Sequence, residues 1–509
     1  MFVRVVSGAV IGVESRRVDV EVDIASGLPV FDIVGLPDSA VKESRERIRA
    51  AIRNSGYSFP VKRITVNLAP ADIRKSGPSF DLPMAVGILM CMGIIDAKAA
   101  EGAFFAGELS LDGALRPVSG ILPMAIEAKA GGANRFFVCA ENAEEAALVE
   151  GAEVFPVEHI SQLVEHFAQP KILPLCKDPE KLFCDSENTY DVDFSDVAGQ
   201  VYVKRALEIA AAGYHNALMI GTPGAGKTML ARRMPTILPA LSLDESMEIT
   251  KIYSIAGLLD SKNVLLAQRP FRTPHHTASY TSLTGGGRVP QPGEISLAHN
   301  GVLFLDELPE FQKRVLETLR QPLEDGEITI TRTSGVSTYP SVFLLLAAMN
   351  PCPCGYLGTK RCTCSPSEIS RYLDKISGPL LDRIDIQVEA SPVEYSELST
   401  AKTPAESSAE IKQRVENARL RQVARFASDS NTRFNAKMTA TQINKYCKPS
   451  ADAQELLKNV FDTMALSARA YHKILKISRT IADLSDSAEI SAEHVAEAIS
   501  YRGLDRKLF

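Results

Sequence analysis

Residues 221–228, Gly221-Thr222-Pro223-Gly224-Ala225-Gly226-Lys227-Thr228, place glycines, a lysine and a hydroxyl at the spacing G-x-x-x-x-G-K-[ST]. Glycines let successive backbone N–H groups converge on phosphate oxygens, the lysine ammonium reaches the β and γ phosphates, and the threonine hydroxyl ligates Mg2+. An apolar run, Ala217-Leu-Met-Ile220, precedes the motif and helical sequence follows it. That context separates a phosphate-binding loop from a glycine-rich turn, and it predicts ATP with Mg2+ as the ligand.

Further along, Gly301-Val-Leu-Phe-Leu-Asp306-Glu307 is an apolar strand ending in two acids, the Walker B pattern. Asp306 would hold Mg2+ through water, and Glu307 would polarise the water that attacks the γ-phosphate. Asn350 ends the next apolar strand, the sensor-1 position of AAA+ proteins, where a polar side chain reaches the γ-phosphate or the water. Arg383, in Gly378-Pro-Leu-Leu-Asp-Arg-Ile-Asp385, resembles an arginine finger inserted into a neighbour's site, with a surface arginine paired to Asp382 or Asp385 as the alternative. Arg469, in Leu466-Ser-Ala-Arg-Ala-Tyr471, resembles a sensor-2 arginine, and Arg479 competes for that role.

A second cluster has metal-ligand chemistry. Cys352, Cys354, Cys362 and Cys364 space as C-x-C, seven residues, C-x-C, with Pro353, Gly355 and Gly358 supplying tight turns. Four thiolates at such separations can close a tetrahedral structural Zn2+ site, although the usual knuckle is C-x-x-C; free thiols and a redox pair are the alternatives. A zinc ion here would pin a loop beside the catalytic strand rather than perform chemistry. His275 and His276 lack a third ligand in the sequence, and a structural or allosteric role suits them better than metal binding.

These residues need elements to position them. The runs at 217–220, 302–305 and 342–348 are continuously apolar, which suits a parallel sheet covered on both faces. Upstream, Val18, Val20, Val22 and Ile24 alternate with polar residues as in a half-buried strand. An amphipathic, arginine-rich segment then runs to Gly56, which is placed to stop a helix. Residues 63–68 read as a strand and 80–92 as an apolar helix. A Pro-, Asp-, Glu- and Lys-rich stretch without apolar period reads as an interdomain linker. Helical patterning over 452–484 and 491–501, with Ser491 as an N-cap, makes the C-terminal part all-helical. The expected boundaries are 1–168 for a first α+β domain, 169–192 for the linker, 193–393 for the nucleotide-binding core and 394–509 for a helical lid.

A chain of 509 residues suits roughly three such domains. With 45% hydrophobic and 23% charged residues it has the composition of a soluble globular protein. The longest strongly apolar run, 342–349, is too short to span a bilayer, and the N-terminus lacks the h-region of a signal peptide, so no membrane association and a cytoplasmic location are expected. A net charge of −6 means that any nucleic-acid binding must come from a local basic surface.

The stretch Arg272-Thr-Pro-His-His-Thr277, followed by Gly285-Gly-Gly-Arg-Val-Pro-Gln-Pro-Gly-Glu-Ile-Ser-Leu-Ala-His-Asn-Gly301, resembles the magnesium-chelatase-like AAA+ family of the competence-associated ComM/YifB type. The resemblance covers essentially the whole chain. It implies a hexameric, ATP-driven DNA helicase promoting branch migration during recombination of incoming DNA, in company with recombination proteins. It also implies two pore-lining features. Residues 327–338 read as a β-hairpin with a Ser334-Gly335 turn and Arg332 near its tip, and Arg288 lies in a glycine-flanked insert; both arginines are candidates for sequence-independent phosphate contacts.

The first domain resembles the Lon protease catalytic domain through Lys75-Ser-Gly-Pro-Ser-Phe-Asp81 and Gly107-Glu-Leu-Ser-Leu-Asp-Gly-Ala-Leu-Arg-Pro-Val-Ser-Gly120. Ser79 stands where the nucleophile would be, but Leu122 stands where the dyad lysine is expected. A leucine cannot take the hydroxyl proton, so a Lon-like fold without peptidase activity follows, serving ring assembly or guiding DNA through Arg45, Arg47, Arg49 and Arg53. A DNA motor, a peptidase and a chelatase-like nucleotide switch are the readings in competition.

Overall fold

The computed structural model describes residues 1–186, 190–260, 264–287, 290–332, 335–391, 406–429, 432–464 and 467–502. Its N-terminal unit is built on a seven-stranded mixed sheet of β1 (Phe2–Ile11), β2 (Glu14–Ala25), β3 (Val30–Val34), β4 (Arg63–Ala69), β5 (Ala103–Ala106), β8 (Arg135–Cys139) and β9 (Glu153–Val157), in the order β3-β4-β2-β1-β5-β8-β9. A short hairpin of β6 (Glu108–Leu109) and β7 (Leu115–Arg116) stands beside it. Period-two alternation in β2 buries Val18, Val20 and Val22 completely. The same alternation divides the sheet's phenylalanines between two faces. Phe105 and Phe137 join the core under helix Asp81–Cys91, and Phe104 and Phe136 the core under helix Ile121–Ala130.

The arginine-rich segment forms helix Ser39–Asn54. The Asp38 carboxylate accepts the Val41 N–H at 2.9 Å to start it, and Gly56, at φ +88°, takes the chain out of it. The stretch expected to be a plain linker instead carries helix Pro179–Asp185, with Asp178 as N-cap and proline in its first turn, and Leu175 pairs with Val154 of β9. Short cap signals outweighed the absence of an apolar period there.

The second unit holds a five-stranded, wholly parallel sheet of β10 (Ala217–Gly221), β11 (Phe271–Arg272), β14 (Val302–Leu305), β17 (Leu344–Met349) and β18 (Ile386–Ala390), ordered β11-β14-β17-β10-β18. Two β-hairpins project from it, β12 (Gly285–Gly286) with β13 (Gln291–Pro292), and β15 (Glu327–Arg332) with β16 (Gly335–Pro340). One sheet face, through Met219, Phe304 and Leu346, packs on helices Val201–Gly213 and Lys227–Ile237. The other, through Ile220, Leu305 and Leu345, packs on the segment 308–323 and on Tyr372 and Leu380.

The C-terminal helices Ser408–Arg425, Ala440–Tyr446, Ala451–Met464, Ala468–Leu484 and Ala492–Ser500 extend the first of these cores. The long helical stretch expected over 452–484 is divided, and Ser467 caps the second part. A parallel-sheet α/β core followed by a helical C-terminal region agrees with the fold class expected from the sequence. Among the described residues no helix is long and apolar enough to cross a membrane.

Candidate nucleotide site

Parallel strands deliver their C-terminal ends to one edge of the sheet, and ligands of open α/β sheets bind at that edge. Here the edge gathers Gly221 from β10, Asp306 and Glu307 from beyond β14, and Asn350 from beyond β17. The loop turns on Gly224 and Gly226, both at φ +80°, a conformation that L side chains rarely adopt, and helix Lys227–Ile237 begins at once. Its N–H groups and dipole therefore face the loop, as an anion requires.

Lys227 Nζ donates to the Gly221 carbonyl at 2.7 Å, the Thr222 carbonyl at 3.0 Å and Asn350 Oδ1 at 3.1 Å. Burial pushes its ammonium below the ordinary lysine value, and the nearby Asp306 and Glu307 partly restore it. The Thr228 hydroxyl donates to Asp306 Oδ2 at 2.7 Å, so the two oxygens expected to serve Mg2+ already share a location. Residues up to 129 positions apart in the chain, from Gly221 to Asn350, and drawn from separate strands thus meet in one cluster.

Glu307 is exposed and sits at φ +52°, a strained conformation for a residue with a side chain. His276 Nδ1 lies 3.5 Å from its Oε2. Among the described residues the histidine pair belongs to no group of three or more clustered metal-ligating side chains. His276 holds the carboxylate and His275 stacks on His276 with ring centroids 4.1 Å apart. Spacing alone could not give this, because β11 becomes the neighbour of β14 only in the folded sheet.

Sequence reasoning also missed Gln200. Its amide donates to the Ala225 carbonyl in the phosphate loop at 3.2 Å and to the Ser391 carbonyl after β18 at 2.5 Å. The signal was Asp196-Val-Ala-Gly-Gln200, a polar turn immediately before a helix.

The remaining arginines lie elsewhere. Ala390 pairs with Gly221, whereas Arg383 precedes the opposite, N-terminal end of β18. Arg383 pairs with Glu324, not with Asp382 or Asp385, and its Nε is buried without a hydrogen-bond partner. Arg469 is exposed and lies 3.6 Å from Asp382, at the same end as Arg383. Arg479 is buried, binding Asp483 and the Ser487 and Ala488 carbonyls, so it holds the lid together and is not free to meet a nucleotide.

A buried polar chain ties the Arg383 end of the sheet to the C-terminal helices. His215 Nδ1 is 3.1 Å from Asp385 Oδ2, His215 Nε2 is 2.9 Å from Thr480 Oγ1, and Lys473 Nζ is 3.7 Å from Asp385 Oδ1. Burial alone would raise the Asp385 carboxyl, but the His215 hydrogen bond with Lys473 and Lys476 holds it down at about 2. A folded value below the unfolded one means that the stabilisation is complete above the ordinary carboxyl range and is lost as pH falls through about 2. Held down from 3.8, the group contributes on the order of 2 kcal/mol. Asp385→Asn is expected to lower stability by about that amount at pH 7, with the gap to wild type closing toward pH 2 in urea titrations across pH.

In the N-terminal unit Ser79 is buried in a single turn, Pro78–Phe80, and lines a cavity of about 450 Å3 shared with Arg74, Ser119, Gln291 and Tyr339. Leu122 is fully buried, and the Lys75 ammonium donates to the Pro70 carbonyl. Arg47 is not available to a nucleic acid: it forms an ion pair at 2.7 Å with the buried Asp81, which also accepts from Ser44. Arg45 donates to the Lys42 and Phe31 carbonyls, and Arg49 lies over Phe59.

Of the pore-lining expectations, the 327–338 hairpin forms, but Gly335 is paired with Arg332 in the ladder rather than placed in the turn. Ser334 and Arg288 lie outside the described residues, as does the side chain of Arg332. The two hairpins touch, since the Tyr339 hydroxyl donates to the Pro290 carbonyl at 2.8 Å.

The four clustered cysteines bring their sulfur atoms within 4.8 Å of one another, an arrangement that can hold a metal ion.

Comparison with known proteins accounts for this arrangement. Residues 193–398 match the family model described as magnesium chelatase, subunit ChlI; residues 20–142 match subunit ChlI of Mg-chelatase, and residues 405–502 the ChlI C-terminal model. The chain is 44% identical over 502 residues to protein YifB of Salmonella typhimurium, covering 98% of this chain and 97% of that one. It is 43% identical over 509 residues to competence protein ComM of Haemophilus influenzae, covering 99% and 98%. Similarity to the magnesium-chelatase 67 kDa subunit of Chlorobaculum parvum is 25% over 207 residues, 40% of this chain and 27% of that one. The chain belongs to the ComM/YifB family of magnesium-chelatase-like AAA+ proteins.

Proposed function

We propose that the protein is an ATP-hydrolysing motor of the cytoplasm that works as a homo-hexameric ring and drives branch migration of DNA during recombination and natural transformation. Lys227 and Thr228 bind the phosphates and Mg2+, Asp306 holds the metal through water, Glu307 activates the attacking water, and Asn350 senses the γ-phosphate. The observation that carries the ring is the separation of Arg383 and Arg469 from their own phosphate loop by the length of the sheet. An arginine so placed can complete only a neighbour's site, through a head-to-tail interface that closes on itself. Full-length similarity to a protein named for competence supports DNA as the substrate. The paired hairpins, with Arg332 and the insert carrying Arg288, are the surfaces assigned to the DNA backbone.

The N-terminal unit is read as a Lon-like fold without peptidase activity. The leucine at 122 and the engagement of Lys75 with a carbonyl support that reading. A chelatase-like switch is less well supported, since the magnesium-chelatase 67 kDa subunit is 25% identical over 40% of the chain, against 43% over 99% for the competence protein.

Four-way-junction DNA is expected to stimulate ATP turnover at low salt, with the stimulation lost as salt rises, as phosphate-directed binding requires. Vigorous turnover that ignores DNA at low salt would contradict the motor and favour the switch. The measurement is steady-state ATPase rate against DNA concentration at several ionic strengths.

A further inference from the structure

We infer that Cys352, Cys354, Cys362 and Cys364 form a tetrathiolate zinc site, and that this site braces the phosphate-binding loop from the side of Asn350. The metal half of the inference is independent of the proposed DNA substrate. The bracing half rests on the nucleotide reading of residues 221–228.

The sulfur geometry argues first. A tetrahedron with Zn–S bonds of about 2.3 Å has S···S edges of roughly 3.8 Å. The observed separations are 3.3 Å for Cys352 and Cys354, 3.9 Å for Cys352 and Cys362, and 3.7 Å for Cys354 and Cys362. All four sulfurs lie within 4.8 Å of one another, and none is in a disulfide. Uncharged thiols gain little from such crowding, whereas a shared dication stabilises it strongly.

A backbone donor argues second. The Cys354 N–H donates to Cys364 Sγ at 3.4 Å. An N–H donated across the turn to a sulfur is the kind of support that a ligating thiolate takes from its surroundings. The donor set of four soft thiolates in a closed arrangement selects zinc over magnesium or calcium, which prefer oxygen.

The position of the cluster gives its role. Cys352 is buried only two residues beyond Asn350, which accepts from Lys227. Gly355, at φ +82°, lies so close to the phosphate loop that a Cβ on it would stand 2.6 Å from Pro223 Cδ and 2.7 Å from Pro223 Cγ. The turn between the two thiol pairs thus rests its backbone directly on the loop. A metal that fixes the turn fixes Asn350 and Pro223 together. Without it, a glycine-hinged turn would leave both free to shift.

The test uses the full-length protein purified without chelator. Elemental analysis should give one zinc ion per chain, and cobalt exchanged into the site should show the visible d–d bands and near-ultraviolet thiolate charge transfer of tetrahedral sulfur coordination. The Cys362→Ser, Cys364→Ser double variant should lose the zinc and bind a fluorescent ATP analogue at least about tenfold more weakly. Stripping zinc from the wild-type protein with a chelator should do the same, which guards against a variant that fails to fold. A zinc-free wild type whose four thiols react freely and which binds the analogue at full affinity would overturn the inference. A zinc-loaded wild type that binds no analogue would overturn the nucleotide reading and the bracing with it, while the metal site would stand.

Discussion

Glu307→Gln is expected to slow ATP turnover by about a hundredfold or more while leaving ATP affinity near wild type, the usual scale for losing a positioned general base. Glutamine matches the carboxylate in size but cannot accept a proton from the attacking water. The change leaves Lys227, Thr228 and the loop backbone, to which phosphate binding is assigned, untouched. The carboxylate is held by φ +52° at its own residue and by His276 at 3.5 Å. Placement of that quality is how a structure commits one side chain to a reacting position. Rapid-quench turnover beside equilibrium binding of a fluorescent ATP analogue checks both halves; an equal loss in binding and turnover would move Glu307 from catalysis to nucleotide retention.

Arg383→Ala should cost about a thousandfold in turnover, the lower end of the range for arginine fingers. Its effect should be repairable in trans. Ala390 lies beside Gly221, and Arg383 stands seven residues earlier, which at about 3.3 Å per residue is on the order of 20 Å from its own phosphate loop. Mixing Arg383→Ala protomers with Glu307→Gln protomers creates interfaces where an intact glutamate faces an intact arginine. If rings assemble at random, about a quarter of interfaces recover, and the mixture should turn over ATP far faster than either variant alone. A mixture no faster than its components would place Arg383 outside catalysis, leaving the Glu324 ion pair as its role.

The phosphate loop, the two acids and Asn350 were legible in the sequence because each stands at the end of a continuous apolar run, and parallel strands bring such ends to one edge. His276 was visible as a residue but not as a partner, since its role depends on β11 lying beside β14, a neighbour relation that strand periodicity does not encode. Arg47 was misjudged for the same reason: charge on an amphipathic helix suggests solvent, yet its partner is Asp81, thirty-odd residues away and fully buried. The helix inside the expected linker shows the opposite case, in which local capping by Asp178 and Pro179 was present in the sequence but outweighed by composition. What surrounds Ser79 and Leu122, a buried turn and a closed core, came only from packing.

Strand exchange on a synthetic four-way junction, followed on a gel with ATP and Mg2+, tests the motor most directly. Wild-type protein is expected to convert the junction to its exchanged duplexes at a rate that follows ATP hydrolysis, and Glu307→Gln protein to bind the junction without converting it. Hydrolysis by the wild type with the junction left intact, under conditions where it binds that DNA, would contradict a branch-migrating motor.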